Sequence, residues 1–161
     1  TIADEFEKRL FNQGRIVFSL DADDLRKKLN ADLGFSMEDR SENIRRAAVV
    51  ARLMQDAGLI VLATFISPTR EIRKKAREIA RESLFFEIFV KASLDTCITR
   101  DPKGFYKKAM NGEIKNYTGI ASSFEEPDNP ELVLNTDVDD LDTCVKKLMQ
   151  LAASAGVIKE E

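Results

Sequence analysis

Short apolar runs alternate with segments of helical period along this chain of 161 residues, and no other feature limits its possible folds as strongly. Residues 59–65 (LIVLATF) form an uncharged run, which is typical of a strand buried on both faces of a parallel sheet. Further apolar runs cover residues 15–20, 85–90 and 132–135. Because parallel neighbours are joined by crossover helices, the alternation predicts a three-layer α/β fold, with a parallel sheet covered by helices on both faces.

Apolar residues recur at helical spacing in the segments between these runs. The predicted helices cover residues 1–14, 25–30, 38–57, 69–82, 93–100 and 139–155. Ser36 is placed to cap the helix at 38–57, and Ser67 to cap the helix at 69–82. No repeat or low-complexity linker interrupts the pattern, so we expect one domain.

The composition removes several classes of chemistry. The chain contains no histidine, which excludes Ser-His-Asp and Cys-His nucleophiles and leaves acid–base work to carboxylates, lysines or tyrosines. Cys97 and Cys144 lack the spacing of a zinc site or a disulfide framework. A net charge of −3 argues against nucleic acid as a partner, and no apolar run is long enough to cross a bilayer. We therefore expect a cytoplasmic protein.

Acidic residues follow the first predicted strand. Ligands of parallel α/β sheets bind outside the carboxyl ends of the strands, so Asp21, Asp23 and Asp24 are candidate site residues. A Mg²⁺ ion with a substrate hydroxyl would relieve the repulsion between these carboxylates. The other interpretation is that they stabilise a helix N-terminus through its dipole. Ser67 follows the second buried strand and has two similar interpretations, a helix cap or a hydroxyl that faces a phosphate.

Two further segments carry groups suited to an anionic ligand. Arg40 and Asn43 are three residues apart on a predicted helix face, near the aromatic ring of Phe35, and so are able to grip one ligand. Residues 101–129 form a long polar stretch with several lysines and aromatic residues, which favours a lid or binding loop. The alternatives are a solvent-exposed arginine face and a solvated loop.

Several strings in the chain occur together in a particular order. They are Asp21-Ala22-Asp23-Asp24-Leu25-Arg26, Leu33-Gly34-Phe35-Ser36, Glu42-Asn43-Ile44-Arg45-Arg46, Phe65-Ile66-Ser67-Pro68, Arg100-Asp101-Pro102-Lys103-Gly104 and Tyr117-Thr118-Gly119. With this set the chain resembles the adenylylsulfate kinase (APS kinase) family from Thr1 to about Leu151. The resemblance implies a P-loop kinase fold. It also implies transfer of the ATP γ-phosphate to the 3′-hydroxyl of adenosine 5′-phosphosulfate (APS), giving PAPS, with Mg²⁺ as cofactor.

The resemblance supplies catalytic roles for three residues. Asp21 and Asp23 match an acidic pair near Mg²⁺ and the attacking hydroxyl, and Asp23 is expected to orient that hydroxyl or accept its proton. Ser67 matches a serine traditionally assigned as a phosphoserine intermediate. Direct in-line transfer favours a binding hydroxyl at that position instead.

The resemblance also implies which side chains hold APS. Arg26, Arg40 and Asn43 match residues that bind its phosphosulfate and sugar. Phe35 and Phe124 match an aromatic pair that sandwiches the adenine.

The remaining matches line the same pocket, lie in the predicted lid at 101–129 or, in the case of Arg100, directly precede it. Ile66 belongs to the pocket wall. Lys107 and Lys115 are expected to face the anionic substrate, whereas Arg100 and Lys103 are expected to bind ATP.

The chain departs from the family pattern at two positions and at its start. Ala22 replaces a glycine and is unstrained only at negative φ. Asp24 replaces an asparagine and adds negative charge beside an anionic substrate, unless a cation pairs with it. The family's triphosphate-cradling loop, GxxxxGK[ST], precedes the residue that matches Thr1, so we expect residues 1–161 to lack that loop and the first strand and to have no useful rate alone.

Two interpretations of that start are open. In the first, the loop lies in residues that precede Thr1 in the full protein. In the second, the chain is a naturally shortened homologue that binds APS or regulates a partner without transferring phosphate. The resemblance also suggests ATP sulfurylase as a partner or fused domain, and a homodimer, although no single sequence feature requires either.

Overall fold

The computed structural model describes residues 1–80, 85–101, 104–113 and 124–158. The strands of this described part are β1 (Val17–Asp21), β2 (Ile60–Thr64), β3 (Ile88–Lys91) and β4 (Leu132–Asn135). Its helices are α1 (Ile2–Asn12), α2 (Ala22–Lys27), α3 (Met37–Asp56), α4 (Arg70–Ile79), α5 (Leu94–Arg100), α6 (Phe105–Met110) and α7 (Leu141–Ser154). None of the helices described here combines the length and the apolar character of a membrane span.

The strands form two parallel pairs. β1 lies beside β2 with Asp21 opposite Thr64, and β3 lies beside β4 with Lys91 opposite Asn135. Each pair is parallel, so its carboxyl ends meet at one edge, as the sequence predicts. Within the described residues the sheet is divided into these two pairs, because β2 and β3 are not hydrogen-bonded to each other.

Helices cover the strands in two groups. α1 and α7 pack against each other, and with the strands they enclose the larger core, whose buried side chains include Phe6, Leu10, Leu134, Val145 and Leu148. Partly buried residues of all four strands pack against this core, so it joins the two strand pairs. α3 and α4 form the second core, from Ile44, Ala48, Ile72 and Ala76, with Phe65 packed against it. The predicted α/β class, with helices on both sides of parallel strands, is confirmed.

The helix caps confirm one prediction and correct another. Ser36 caps α3, since its Oγ accepts a hydrogen bond from the backbone N–H of Asp39 at 3.1 Å. α4 is capped by Thr69 rather than by Ser67, and the Thr69 Oγ1 accepts from the N–H of Ile72 at 3.3 Å. An N-cap residue needs extended backbone directly before the first helical residue, and Thr69 has it, whereas Ser67 has φ 45°.

A group of charged side chains fastens the loop before α3 to that helix. Arg46 makes two hydrogen bonds to the Asp32 carboxylate, at 2.7 and 2.8 Å, and a third to Glu42 at 2.8 Å. Arg45 binds both oxygens of Glu42, at 2.7 and 2.8 Å. Hydrogen bonds from Arg45 and Arg46 lower the pKa of Glu42 to about 2. This network holds the loop that carries Phe35 against α3.

We expect Leu134→Ala to lower the free energy of unfolding by about 2–5 kcal/mol, because it leaves a cavity in the larger core. Leu134 is fully buried, whereas its neighbour Val133 is 44% exposed. Val133→Ala, the matched control, should cost about 1 kcal/mol or less. Urea denaturation of both variants measures the difference. Equal losses would contradict the assignment of Leu134 to the buried face of β4.

We expect Glu42→Gln to destabilise the fold at neutral pH but not in strong acid. A carboxylate whose folded pKa is lowered adds stability above its unfolded pKa, and this stability is lost as pH falls through the folded value. The difference between wild type and variant should therefore be full above about pH 4.5 and vanish towards about pH 2. Urea midpoints measured across this range test it.

Glu78→Gln is the control for that titration. Glu78 is 63% exposed and lies 4.0 Å from Lys74, a pair of the kind that adds little stability. If the urea midpoints of Glu78→Gln changed with pH in the same way as those of Glu42→Gln, the arginine contacts of Glu42 would not be the cause of its pH-dependent effect on stability.

Candidate active site

The site begins where β1 ends, at Asp21. Its Oδ1 accepts hydrogen bonds from the backbone N–H groups of Asp23 and Asp24, at 2.8 and 3.4 Å, so Asp21 is the N-cap of α2. Its Oδ2 accepts from the Thr64 hydroxyl at 3.1 Å, across the β1–β2 pair. The helix-cap interpretation of Asp21 is therefore correct, and the same contacts fix the carboxylate at the carboxyl edge of the strands.

The two departures from the family pattern are accommodated here. Ala22 begins α2 and does not have a positive φ, so its methyl group causes no backbone strain. Asp24 pairs with Lys27 at 3.3 Å on the exposed side of the helix. Asp23 lies in the first turn of α2, three residues before Arg26, and residues at this spacing share a helix face.

Arg26, Phe35 and Arg40 lie together. The guanidinium carbon of Arg26 is 4.4 Å from the centre of the Phe35 ring, and that of Arg40 is 5.8 Å away. Arg26 Nη1 donates to the carbonyl of Gly34 at 2.7 Å, and Arg40 Nε to the carbonyl of Phe35 at 3.1 Å. Burial, followed by the charge of Arg26, lowers the pKa of Arg40. An anion bound here would oppose both effects, because a nearby negative charge favours the charged guanidinium.

Asn43 lies on the buried side of α3 and is 4% exposed. Its Oδ1 accepts a hydrogen bond from the Nδ2 of Asn30 at 2.8 Å, and Asn30 is fully buried. Because that oxygen is engaged, the NH₂ of Asn43 is the part of the side chain that suits an anionic ligand.

The turn after β2 carries Ile66 and Ser67. Ile66 is 54% exposed, so its side chain is accessible to a ligand. Ser67 has φ 45°, and among the described residues no other non-glycine residue has a positive φ of this kind. Such strain recurs at functional sites. The carbonyl of Ser67 accepts a hydrogen bond from Arg73 at 2.8 Å.

Phe124 is attached to the same turn. Its ring stacks on Phe89, with centres 5.9 Å apart and planes at 17°. The following residue, Glu125, donates its backbone N–H to the Pro68 carbonyl at 2.8 Å. The structure therefore places Phe124 beside the Ser67 turn, and Phe124 remains 38% exposed.

The basic residues of the predicted lid are only partly described. Arg100 donates to the hydroxyl and the carbonyl of Thr136, at 3.0 and 2.6 Å, just beyond β4. Lys107 lies on α6, a short helix within the predicted lid, and its backbone N–H donates to Asp101 at 3.0 Å. Lys103 and Lys115 lie outside the described residues.

Asp101 fixes the start of α6. Its carboxylate accepts the backbone N–H groups of Tyr106 and Lys107, at 3.1 and 3.0 Å. Burial raises the pKa of Asp101, but the hydrogen bonds from the helix backbone outweigh it and leave the pKa below its usual value.

The carboxylates at the end of β1 fit a Mg²⁺ ion that also uses ligands from a substrate. Asp21 accepts three hydrogen bonds through its two oxygens, which leaves it lone-pair capacity for a cation. Mg²⁺ needs only one or two carboxylates when phosphates and water complete its shell. Within the described residues no group of three or more Asp, Glu or Cys side chains could hold a metal ion alone.

A groove of about 420 Å³ lies away from this site. Its lining residues are Asp4, Glu7, Lys8, Phe11, Asn12 and Val17. None of them is a predicted site residue.

Sequence reasoning missed three side chains that support the site. Thr64 is the one polar residue of an apolar run, and strand register was needed to place it opposite Asp21. Asn30 carries no local signal for its contact with Asn43. Arg73 is one of several charged residues on α4, and only the tertiary structure separates it from its neighbours.

Comparisons with known proteins agree on one family. The family model described as adenylylsulphate kinase matches residues 1–135. An adenylyl-sulfate kinase of Clostridium kluyveri is 50% identical over 149 residues, which cover 92% of this chain and 74% of that protein. The bifunctional enzyme NodQ of Rhizobium meliloti is 56% identical over 136 residues, which cover 84% of this chain and 21% of that protein.

A solved structure shows the same fold. It is the Mycobacterium tuberculosis APS kinase CysC in complex with AMPPNP and APS, with a TM-score of 0.89 and 44% identity. The match covers 93% of this chain and 87% of that chain. With a family model over most of its length and relatives at half identity, this chain belongs to the adenylylsulphate kinase family.

Proposed function

We propose that the protein transfers the γ-phosphoryl group of ATP to the 3′-hydroxyl of APS, which gives PAPS and ADP. Membership of the family supports this reaction, and the related Mycobacterium tuberculosis kinase was solved with AMPPNP and APS. The observation that carries the proposal is the group of Arg26, Phe35 and Arg40, which joins an aromatic face to two guanidinium groups. A nucleotide with an anionic sulfate ester offers the complementary groups.

The two arginines bind the phosphosulfate. Guanidinium groups present forked donors that match phosphate and sulfate oxygens. Arg26 and Arg40 are held by carbonyls of the Phe35 loop, so their donors are arranged before the ligand arrives. The NH₂ of Asn43 adds a neutral donor, and its orientation is fixed by Asn30.

The adenine stacks between Phe35 and Phe124. Phe35 is 61% exposed, so its ring is accessible to a ligand. Phe124 and the Ser67 turn form the opposite wall, with Ile66 at its edge. Ser67 acts here as a binding group, because transfer directly between the two substrates needs no phosphoserine.

Asp23 accepts the proton from the 3′-hydroxyl as that oxygen bonds to the γ-phosphorus. The bond between the γ-phosphorus and the β–γ bridging oxygen breaks, and ADP leaves. Asp21 stays in place during the transfer, since hydrogen bonds from the α2 backbone and from Thr64 hold its carboxylate at the end of β1. Mg²⁺, when bound, neutralises charge on the transferred phosphoryl group, and Asp21 and Asp23 are the residues that would hold it.

On the ATP side, Arg100 and Lys103 are our candidate nucleotide ligands, and Lys107 and Lys115 our candidate lid contacts. Arg100 lies just beyond the carboxyl end of β4, the edge at which ligands of such folds bind. The match to one fifth of a bifunctional enzyme supports a further proposal, that an APS-forming ATP sulfurylase is a partner or a fused domain.

We expect Asp23→Ala, in the full-length protein, to lower kcat by about 10²–10⁴-fold, because the proton of the attacking hydroxyl loses its acceptor. Turnover is measured by ADP release at saturating APS. Asp24→Asn is the control, since Asp24 faces Lys27 on the exposed side of α2 and its replacement restores the asparagine of the family pattern. Full activity of Asp23→Ala would remove Asp23 from the mechanism.

We expect Phe35→Leu to weaken APS binding by about 1–3 kcal/mol, since stacking on the adenine is lost. The exposed position should keep the change in unfolding free energy within about 1 kcal/mol. Isothermal titration calorimetry with APS measures the affinity. Phe11→Leu is the matched control, because Phe11 is 72% exposed and lies on α1 in the separate groove. Equal affinities in both variants would place Phe35 outside the pocket.

A further inference from the structure

Arg73, on α4, is an arginine whose contacts reach several separate segments. Its side chain is 10% exposed. Its Nη1 donates to the Ser67 carbonyl at 2.8 Å, and its Nη2 to the Glu125 carbonyl at 2.7 Å. Its Nε faces the Glu87 carboxylate at 2.6 Å. The two terminal nitrogens therefore donate hydrogen bonds to two different segments, whereas the Nε contact with Glu87 is an ion pair without hydrogen-bond geometry.

The first of these segments is strained. Ser67 has φ 45°, a conformation that a non-glycine residue keeps only when its surroundings hold it. The hydrogen bond from Arg73 to the Ser67 carbonyl helps to hold the backbone in this conformation. Pro68, fully buried, fixes the backbone directly after it.

The second segment carries Phe124. The guanidinium carbon of Arg73 lies 5.6 Å from the centre of the Phe124 ring, within the range of a cation–π contact. Glu125 is held from two further directions. Its N–H donates to the Pro68 carbonyl at 2.8 Å, and its carboxylate accepts the N–H of Arg70 at 2.8 Å. Residues 124–125 are thus fastened to the turn at 67–68 with Arg73 between them.

Glu87 sets the orientation of the guanidinium plane. It is 18% exposed and lies just before β3, so the ion pair joins α4 to the second strand pair. The carboxylate attracts the guanidinium from the Nε side, and the planar group then presents its two terminal nitrogens to the Ser67 and Glu125 carbonyls. A lysine at this position would offer one charged point and could not reach the same partners together.

We propose that Arg73 is a positioning residue, which sets the distance between the Ser67 turn and Phe124 and so forms the wall on which the adenine of the substrate stacks. The ligand assignment rests on the proposed function, whereas the positioning itself rests on the contacts of Arg73 alone. Since the wall lies away from the reacting atoms, its loss should weaken substrate binding and leave the chemical step intact.

The geometric test places a tryptophan at Phe124. The chain contains no tryptophan, so Phe124→Trp introduces a reporter of that position. In this background of the full-length protein, Arg73→Gln and Arg73→Lys are each expected to shift the emission to the red and to increase quenching by acrylamide. Unchanged emission and quenching in both variants would overturn the proposal.

Arg77→Gln is the matched control. Arg77 lies one turn further along α4 and is 21% exposed. It donates to the Phe85 carbonyl at 3.2 Å and to Glu131 at 2.8 Å, and stacks on Phe85 at 4.8 Å. It also lies 3.9 Å from Glu87 Oε2, beyond hydrogen-bonding distance, whereas Arg73 approaches Glu87 Oε1 to 2.6 Å, so Glu87 keeps its closer partner in the control. Its loss should leave the emission of the introduced tryptophan unchanged. A red shift as large as that of Arg73→Gln would mean that any cation removed from α4 has the same effect, and would overturn the proposal.

The kinetic test uses Arg73→Gln and Arg73→Lys with Phe124 intact. We expect the KM for APS to rise about tenfold while kcat stays within about threefold of wild type. A purely structural role would instead lower kcat through loss of folded protein, leave KM unchanged and overturn the proposal. If the wild-type protein shows no APS-dependent ADP release, the proposed function fails, and the tryptophan emission in the Phe124→Trp background still decides whether Arg73 positions the wall.

Discussion

The carboxylate of Asp21 connects three elements of this structure, which are a strand, the helix that follows it and the neighbouring strand. It ends β1, caps the helix that follows and accepts a hydrogen bond from Thr64 on the neighbouring strand. Successive side chains of a strand point to opposite faces, so a slip of one residue between β1 and β2 would move Asp21 away from Thr64. The burial of Leu20, 4% exposed, opposes such a slip. Core packing therefore fixes where the acidic group of the site lies.

The strands and helices that were predicted correctly are those whose signals lie in neighbouring residues of the sequence. The run at 132–135 forms β4 with the predicted bounds, and the run at 59–65 contains β2, because strands of a parallel sheet leave apolar runs in a sequence. The expected burial of β2 on both faces is not found, since four of its residues are half-buried and Ala63 is exposed. α6 was not predicted. A six-residue helix is too short to show a period, and its start depends on Asp101 accepting backbone N–H groups. The predicted cap at Ser67 was wrong because its strained φ is invisible in sequence.

The candidate site shows the same difference between residues with a local sequence signal and residues identified only by contacts in the folded chain. Side chains such as Asp21 and Phe35 stand in motifs, so the sequence points to them directly. The side chains that support them do not stand in such motifs. The role of Thr64 follows only from strand register, and the roles of Asn30 and Arg73 follow only from contacts between distant segments. A side chain that binds a ligand must be of a particular chemical type, so it leaves a signal in the sequence. A side chain that holds it in place needs only to lie close enough to contact it, and that distance is set by the folded chain.

The arginines around α3 show why charge counts cannot locate such a site. Arg46 and Arg45 are neutralised by Asp32 and Glu42, and hydrogen bonds to these carboxylates raise the pKa of Arg46. Arg40, on the same helix, has the opposite shift, because burial and the charge of Arg26 disfavour its charged form. One set of cations has its counter-ions within the protein. Arg26 and Arg40 lie beside the Phe35 ring, and an anionic ligand at this position would favour the charged form of Arg40. A net charge of −3 is therefore compatible with the local anion site that we propose at Arg26 and Arg40.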